Sequence, residues 1–300
     1  MQSILDAGVE LIRWLSAHRS PALDVFFLTV TDVGSTLGYL VMLPVLWWRF
    51  SWRLAIRLFV ALVVSVYLNA LVKDAVALDR PFVSADITPL RTPDEYSFPS
   101  GHAQNATVFW GLLGFQVRKL WFGGVCALMI FLIGFSRIYL GVHFPSDVAA
   151  GIAFGAAIAW LFTKASPRIV ARVTSLSMPS QLLVSMGLPA VLVVAHSTAN
   201  AAAAMGAVSG ALSGMVFARH RRLYPEVVPR HQRRASLLVG LVGLPGIYLA
   251  TGAMGAFSDD SAWAWFHHWL RYAVIGLWVS VLVLRFVSVA RIASPDGRRT

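Results

Sequence analysis

Cysteine is nearly absent from the chain. Cys126 stands alone among 300 residues, which excludes an internal disulfide and a thiolate metal cluster. Charge is scarce as well: lysine, arginine, aspartate and glutamate make up 13% of the residues, against 57% hydrophobic ones. Mean hydropathy is +0.68. Soluble domains carry about a quarter charged residues, so this composition excludes one and predicts an integral membrane protein. Acids are the rarer sign, 14 against 25 basic residues. The N-terminus has no basic stretch ahead of a short apolar core, so no cleavable signal peptide is expected.

Long apolar runs take the place of charge. They cover residues 36–48, 54–72, 103–115, 120–135, 148–162, 182–195, 201–217, 237–254 and 263–284. The fold expected is all-α, a polytopic membrane helical bundle of about nine spans, several shorter than the ~20 residues a full crossing needs. Ahead of them, Ser3, Asp6, Glu10 and Arg13 recur at helical spacing, with Ile4, Leu5, Val9, Ile12 and Leu15 opposite. That pattern predicts an interfacial amphipathic helix, ended by Ser20-Pro21.

Most basic residues fall on alternate connections: Arg49, Arg53 and Arg57; Arg118 and Lys119; Lys164, Arg168 and Arg172; the arginines of 219–234; and those of 285–299. By the positive-inside rule these face the cytoplasm, with the C-terminus inside and the N-terminal helix outside. The net charge of +11 is therefore a topology signal, and no nucleic-acid partner is expected. A bacterial inner membrane is the expected location.

Residues 166–180, with two prolines and no long apolar run, separate a motif-rich first part (1–165) from an Ala/Gly-rich second part (166–300). Gly151 and Gly155, and Gly206, Gly210 and Gly214, have the four-residue spacing that lets membrane helices approach closely. Trp47, Trp48, Trp263 and Trp265 suit an interfacial aromatic belt. His196, His267, His268, Asp259 and Asp260 suit ordinary solvated positions, and Asp94 and Glu95 a solvated loop that could shape access to a site.

Three motifs remain, all on the basic-poor face: Lys73-x6-Arg80-Pro81, Pro99-Ser100-Gly101-His102 and Ser136-Arg137-x5-His143-x3-Asp147. Singly, each has a plain reading: a snorkelling lysine, a helix cap, a satisfied pair at a helix N-terminus. Together they fit a phosphate ester. Three cations and the amides of Ser100 and Gly101 form a nest for a multiply charged anion, with arginine forks matched to phosphoryl oxygens. His143 and His102 suit a nucleophile and an acid near neutral pH. Asp147 is placed to accept the Nδ1 proton and leave Nε2 free. Three converging cations would repel a metal ion, so neither metal nor cofactor is expected.

With these motifs the chain resembles the type 2 phosphatidic acid phosphatase superfamily, which includes bacterial lipid phosphate phosphatases, glucose-6-phosphatase and the vanadium haloperoxidases. The resemblance covers about residues 1–165 and is specific there; the extra C-terminal spans resemble those of sphingosine phosphate phosphatases. It implies that His143 attacks phosphorus to form a phosphohistidine, held by Asp147. It also implies that His102 protonates the leaving oxygen, and that Lys73, Arg80, Ser100, Gly101 and Arg137 bind the phosphoryl oxygens. The implied substrate is a lipid phosphate or diphosphate drawn from membrane lipids: polyprenyl diphosphate, phosphatidate, phosphatidylglycerophosphate, sphingoid phosphate or lipid A phosphate. A phosphotransferase using the same site is an alternative. A lipid transporter or scramblase is another, disfavoured because Arg271 is the only charged residue within a C-terminal span.

Overall fold

The computed structural model describes residues 2–196, 198–221, 230–253 and 264–283. Every regular element among the described residues is helical. In order they are α1 (Gln2–Ala17), α2 (Pro21–Val33), α3 (Thr36–Val45), α4 (Trp52–Val76), α5 (Pro81–Ser84), α6 (Gly101–Val117), α7 (Leu120–Tyr139), α8 (Pro145–Thr174), α9 (Met178–Ala195), α10 (Ala199–His220), α11 (Arg230–Ala253) and α12 (Ala264–Leu277). π-helical turns follow α3, at Leu46–Phe50, and α12, at Trp278–Leu282.

Among the described residues, six helices are long and apolar enough to cross a membrane. A seventh span arises if α2 and the α3 segment, which meet at a 56° bend, count as one. The expected nine is not confirmed: α6 has 17 residues and α12 has 14. Nor do residues 166–180 form a linker. Helix α8 runs on through Pro167 to Thr174, and α9 begins at Met178. A proline inside a helix forfeits one backbone hydrogen bond, a loss that membrane-spanning helices tolerate.

The chain forms two compact units, residues 1–42 with 57–167, and residues 43–56 with 168–300. In the first, Ser20 caps α2 by accepting from the Leu23 amide at 3.4 Å, and Pro21 opens the helix. Phe27 of α2 meets the Tyr139 ring of α7 at 4.3 Å, and the Tyr139 hydroxyl donates to Asp24 at 2.7 Å. Ile12 and Leu15, the buried face of α1, join Ile138, Phe144 and Val148 in one apolar cluster. The amphipathic helix thus packs on the turn between α7 and α8. Helix α8 lies directly on α6: a Cβ on Gly151 would stand 2.6 Å from the Ser100 carbonyl oxygen, and one on Gly155 2.5 Å from that of Gln104. Asn69 of α4 and Gln104 of α6 are buried and bonded to each other at 3.0 Å, and Gln104 also donates to the Ser65 carbonyl at 2.9 Å. In lipid such groups are costly unless satisfied within the protein, so the pair fixes α6 against α4.

The second unit is held differently. Gly206 and Gly210 of α10 press against the carbonyl oxygens of Trp269 and Ala273 in α12, leaving no room for a side chain. Trp47 and Trp48 are not belt residues. They are 6% and 4% exposed, in a cluster with Ala55 and Val283, and the Trp48 indole donates to the Val279 carbonyl at 3.1 Å. The π-helical turn turns both rings inward; Trp265 stays 38% exposed, and Trp263 lies outside the described residues.

Candidate active site

The first unit collects all three motifs. Lys73 sits in the last turn of α4, and Arg80 caps α5, with Pro81 as the first helical residue. Both are 4% exposed. Burying a charge demands partners, and the loop ahead of α6 supplies them. Lys73 Nζ donates to the Tyr96 carbonyl and ion-pairs with the Glu95 carboxylate at 3.3 Å. Arg80 Nε donates to the Glu95 carbonyl at 2.5 Å, and Nη1 to the Val142 carbonyl at 2.9 Å. Glu95, which the sequence left open as a solvated loop acid or one shaping access to a site, pairs with Lys73 of the cation cluster.

Ser100 caps α6 with extended backbone. Its amide is not open to an anion, because it donates to the Asp147 carbonyl at 3.0 Å. Its hydroxyl is fully buried and has no partner among the described residues. Gly101 and His102 form the first turn of α6, with His102 half-buried.

Arg137 closes α7, 3% exposed. Its Nη1 donates to the Thr31 hydroxyl at 2.7 Å, whereas Nε has no partner among the described residues. After the turn, Asp147 occupies the first turn of α8 and its Oδ2 accepts from the Phe144 amide at 2.9 Å. This is the reach-back of a capping box, with an acid bonding the amide at the helix start. Oδ2 also accepts from the Ser97 hydroxyl at 2.5 Å and lies 3.5 Å from His143 Nδ1.

His143 is 2% exposed. Arg80 Nη1 lies 3.2 Å from its Nε2. A guanidinium can only donate, so Nε2 accepts and the ring proton belongs on Nδ1. Burial first, then the charges of Arg137 and Arg80, hold the imidazole well below its ordinary value of 6.5. The ring is therefore neutral at pH 7, with its Nε2 lone pair aimed into the cation cluster. Lys73 and His102 act on it as well.

Of the residues expected at the site, Lys73, Arg80, Arg137, His102, His143 and Asp147 fall in one electrostatic cluster, and Ser100 joins it through the Asp147 carbonyl. Ser97 and Thr31 escaped the sequence reading. A serine in a loop and a threonine in an apolar helix carry no periodic signal. Away from the cluster, His267 Nε2 lies 3.3 Å from the Thr251 carbonyl, and Arg271 stacks on Tyr248 at 4.0 Å. Asp259 and Asp260 lie outside the described residues.

Buried cations around a neutral histidine in a helical membrane protein have the chemistry to hold an oxyanion. Residues 54–171 match the PAP2 superfamily, and residues 202–294 match the PAP2 superfamily phosphatase transmembrane extension. The second match reaches helices that carry none of the three motifs. Phosphatidylglycerophosphatase B of Bacillus subtilis is 30% identical over 151 residues, 46% of this chain and 72% of that protein. Lipid phosphate phosphatase delta of Arabidopsis thaliana is 30% identical over 184 residues, 56% of this chain and 44% of the relative. A dihydrosphingosine 1-phosphate phosphatase of Saccharomyces cerevisiae is 32% identical over 152 residues, 46% and 37% of the two chains. Against the last two, the chain spans less than half of the relative's length. The chain belongs to the PAP2 superfamily.

Proposed function

We propose that this protein hydrolyses a lipid phosphate or diphosphate through a phosphohistidine on His143, at the extracytoplasmic face of the membrane. The observation that carries the reading is the arrangement of Lys73, Arg80 and Arg137 around a neutral His143 whose Nε2 accepts from Arg80. In the first step Arg80 turns from Nε2 to a phosphoryl oxygen. Nε2 then attacks phosphorus in line, and the bond from phosphorus to the lipid oxygen breaks. His102 gives that oxygen its proton. The Ser100 hydroxyl and Arg137 Nε, buried and without partners among the described residues, are donors for the equatorial oxygens. In the second step His102 takes a proton from water, the water oxygen bonds to phosphorus, and Nε2 leaves as inorganic phosphate forms.

The named activities of the relatives support a lipid substrate, on a phosphatidylglycerophosphate or a dihydrosphingosine phosphate. Residues 1–165 would carry the chemistry and 166–300 would form an accessory membrane domain. The charge pattern of the connections supports a cytoplasmic C-terminus. Phosphate release from a panel of lipid phosphates by the purified protein, wild type against His143→Ala, tests the reading. Loss of release with the variant is expected, together with inhibition of the wild type by vanadate and persistence of activity in chelator. Normal release by His143→Ala would exclude the mechanism, and lipid movement surviving in proteoliposomes without hydrolysis would favour a transporter.

A further inference from the structure

Beyond the three motifs, the geometry points to Ser97 as the residue that positions the nucleophile. This inference rests on the reading of His143 as the nucleophile. Ser97 is fully buried, and its backbone is pinned by a 2.8 Å bond from its amide to the Leu78 carbonyl. Its hydroxyl donates to Asp147 Oδ2 at 2.5 Å and lies 3.4 Å from His143 Nδ1. Asp147 Oδ2 is no closer to that nitrogen, at 3.5 Å.

Three donors compete around one oxygen and one ring nitrogen. Oδ2 already accepts from the Phe144 amide and from Ser97, so the carboxylate reaches the histidine across the serine as much as directly. A hydroxyl has one proton to give and lone pairs with which to accept. Ser97 gives its proton to Asp147, which turns a lone pair of Oγ toward Nδ1–H. The 3.4 Å separation is beyond a full hydrogen bond, and a small rotation of the ring closes it. As Nε2 bonds to phosphorus, positive charge develops on the ring, and Nδ1–H tightens on the Ser97–Asp147 pair. Arg80 fixes this tautomer in the resting site; once Arg80 turns from Nε2 to a phosphoryl oxygen, Ser97 holds the proton on Nδ1 and Nε2 in its attacking form. A structural reading of Ser97, as a mere cap on a buried carboxylate, makes no claim on the tautomer.

The test uses the full-length protein in detergent micelles, with Ser97→Ala, Ser97→Cys and His143→Ala assayed on one lipid phosphate that the wild type hydrolyses. Ser97→Ala is expected to lower kcat roughly 10- to 100-fold, the range for partners that orient a reacting group, with KM within about twofold. Nitrogen NMR of labelled histidine in saturating inorganic phosphate, which draws Arg80 from Nε2, with His143→Ala to assign the signal, should show the Nδ1–H tautomer in the wild type and a mixture in Ser97→Ala. Wild-type kcat in Ser97→Ala overturns the inference. So does a lower kcat with the tautomer unchanged, the outcome of a structural role alone. If Ser97→Ala does not fold, Ser97→Cys, of similar size with a weaker donor, decides by the same two readouts. Activity in His143→Ala would instead defeat the phosphohistidine reading itself.

Discussion

The two units bury different things. In the first, the buried residues include Lys73, Arg80, Arg137, His143 and Asp147. In the second, no charged side chain is buried among the described residues, and α10 meets α12 through glycine laid on backbone. Close glycine contacts give packing at little desolvation cost. Buried charges in a membrane protein are costly and persist where a task requires them. The same helical architecture thus buries cost in one unit and avoids it in the other, which is why we place the chemistry in the first. Even the glycines differ in use: Gly151 and Gly155 seat α8 against the carbonyls of Ser100 and Gln104, so packing in the first unit positions the helix ends that carry the candidate site.

Variants can sharpen or break this contrast. The largest effect is expected from Arg137→Ala, which removes a buried clamp: kcat/KM should fall about 10²- to 10³-fold, the cost of losing one donor to developing charge. Arg137→Lys should not restore it, because an ammonium cannot reproduce the fork that reaches Thr31 and a phosphoryl oxygen together. Steady-state phosphate release measures both. Next is Gly155→Leu against Gly210→Leu. Both should lower the melting temperature in detergent, as overpacking costs about 1–3 kcal/mol. Only Gly155→Leu should also lower kcat in the folded fraction, by roughly tenfold or more, since misplacing a reacting group by an ångström costs up to about a hundredfold. Equal kcat losses in the two would erase the distinction between the units.

Thr31→Val should lower kcat/KM by about tenfold, because it strips a charge-assisted hydrogen bond from a buried guanidinium and leaves the charge in place. The smallest effect is Glu95→Gln. It loosens the ion pair on Lys73 and should lower KM by about two- to fivefold, given the modest value of a pair whose carboxylate is exposed to solvent.

The ionisation of His143 offers a measurement of its own. Its folded value lies below 6.5, so the ring should stay neutral in nitrogen NMR at about pH 6, where a free imidazole is mostly protonated. Activity that needs the neutral ring is kept as pH falls through 6.5 and is lost only at the lower, folded value. Protonation at pH 6 would show that burial does not control this residue.

Much of the site was legible in the sequence, since spacing within each motif is a local property. Lys73 to Arg80 is a helix end and a proline-led turn, and His143 to Asp147 is one helical turn. Partnerships between distant segments left no such trace. Thr31 reaches Arg137 across 106 positions, and Ser97 reaches Asp147 across 50. Neither residue type stands out where it occurs. The count of nine spans is not confirmed among the described residues for another reason: hydropathy marks apolar runs but not helix lengths, so α6 and α12 fall short of a full crossing, while α8 absorbs what read as a linker. Trp47 and Trp48 went astray because an aromatic near a run's end looks the same whether it faces lipid or a π-helical turn rolls it into the core.

The most direct test of the account is to trap the covalent intermediate. The full-length protein, mixed with a lipid phosphate labelled on phosphorus and quenched in base within the first turnover, should carry label that acid removes, as phosphohistidine does. Peptide mass spectrometry should place that phosphate on His143, with none on His102 and none in His143→Ala. Label on another residue, or hydrolysis through complete turnovers with no labelled protein under conditions where phosphohistidine survives, would contradict it.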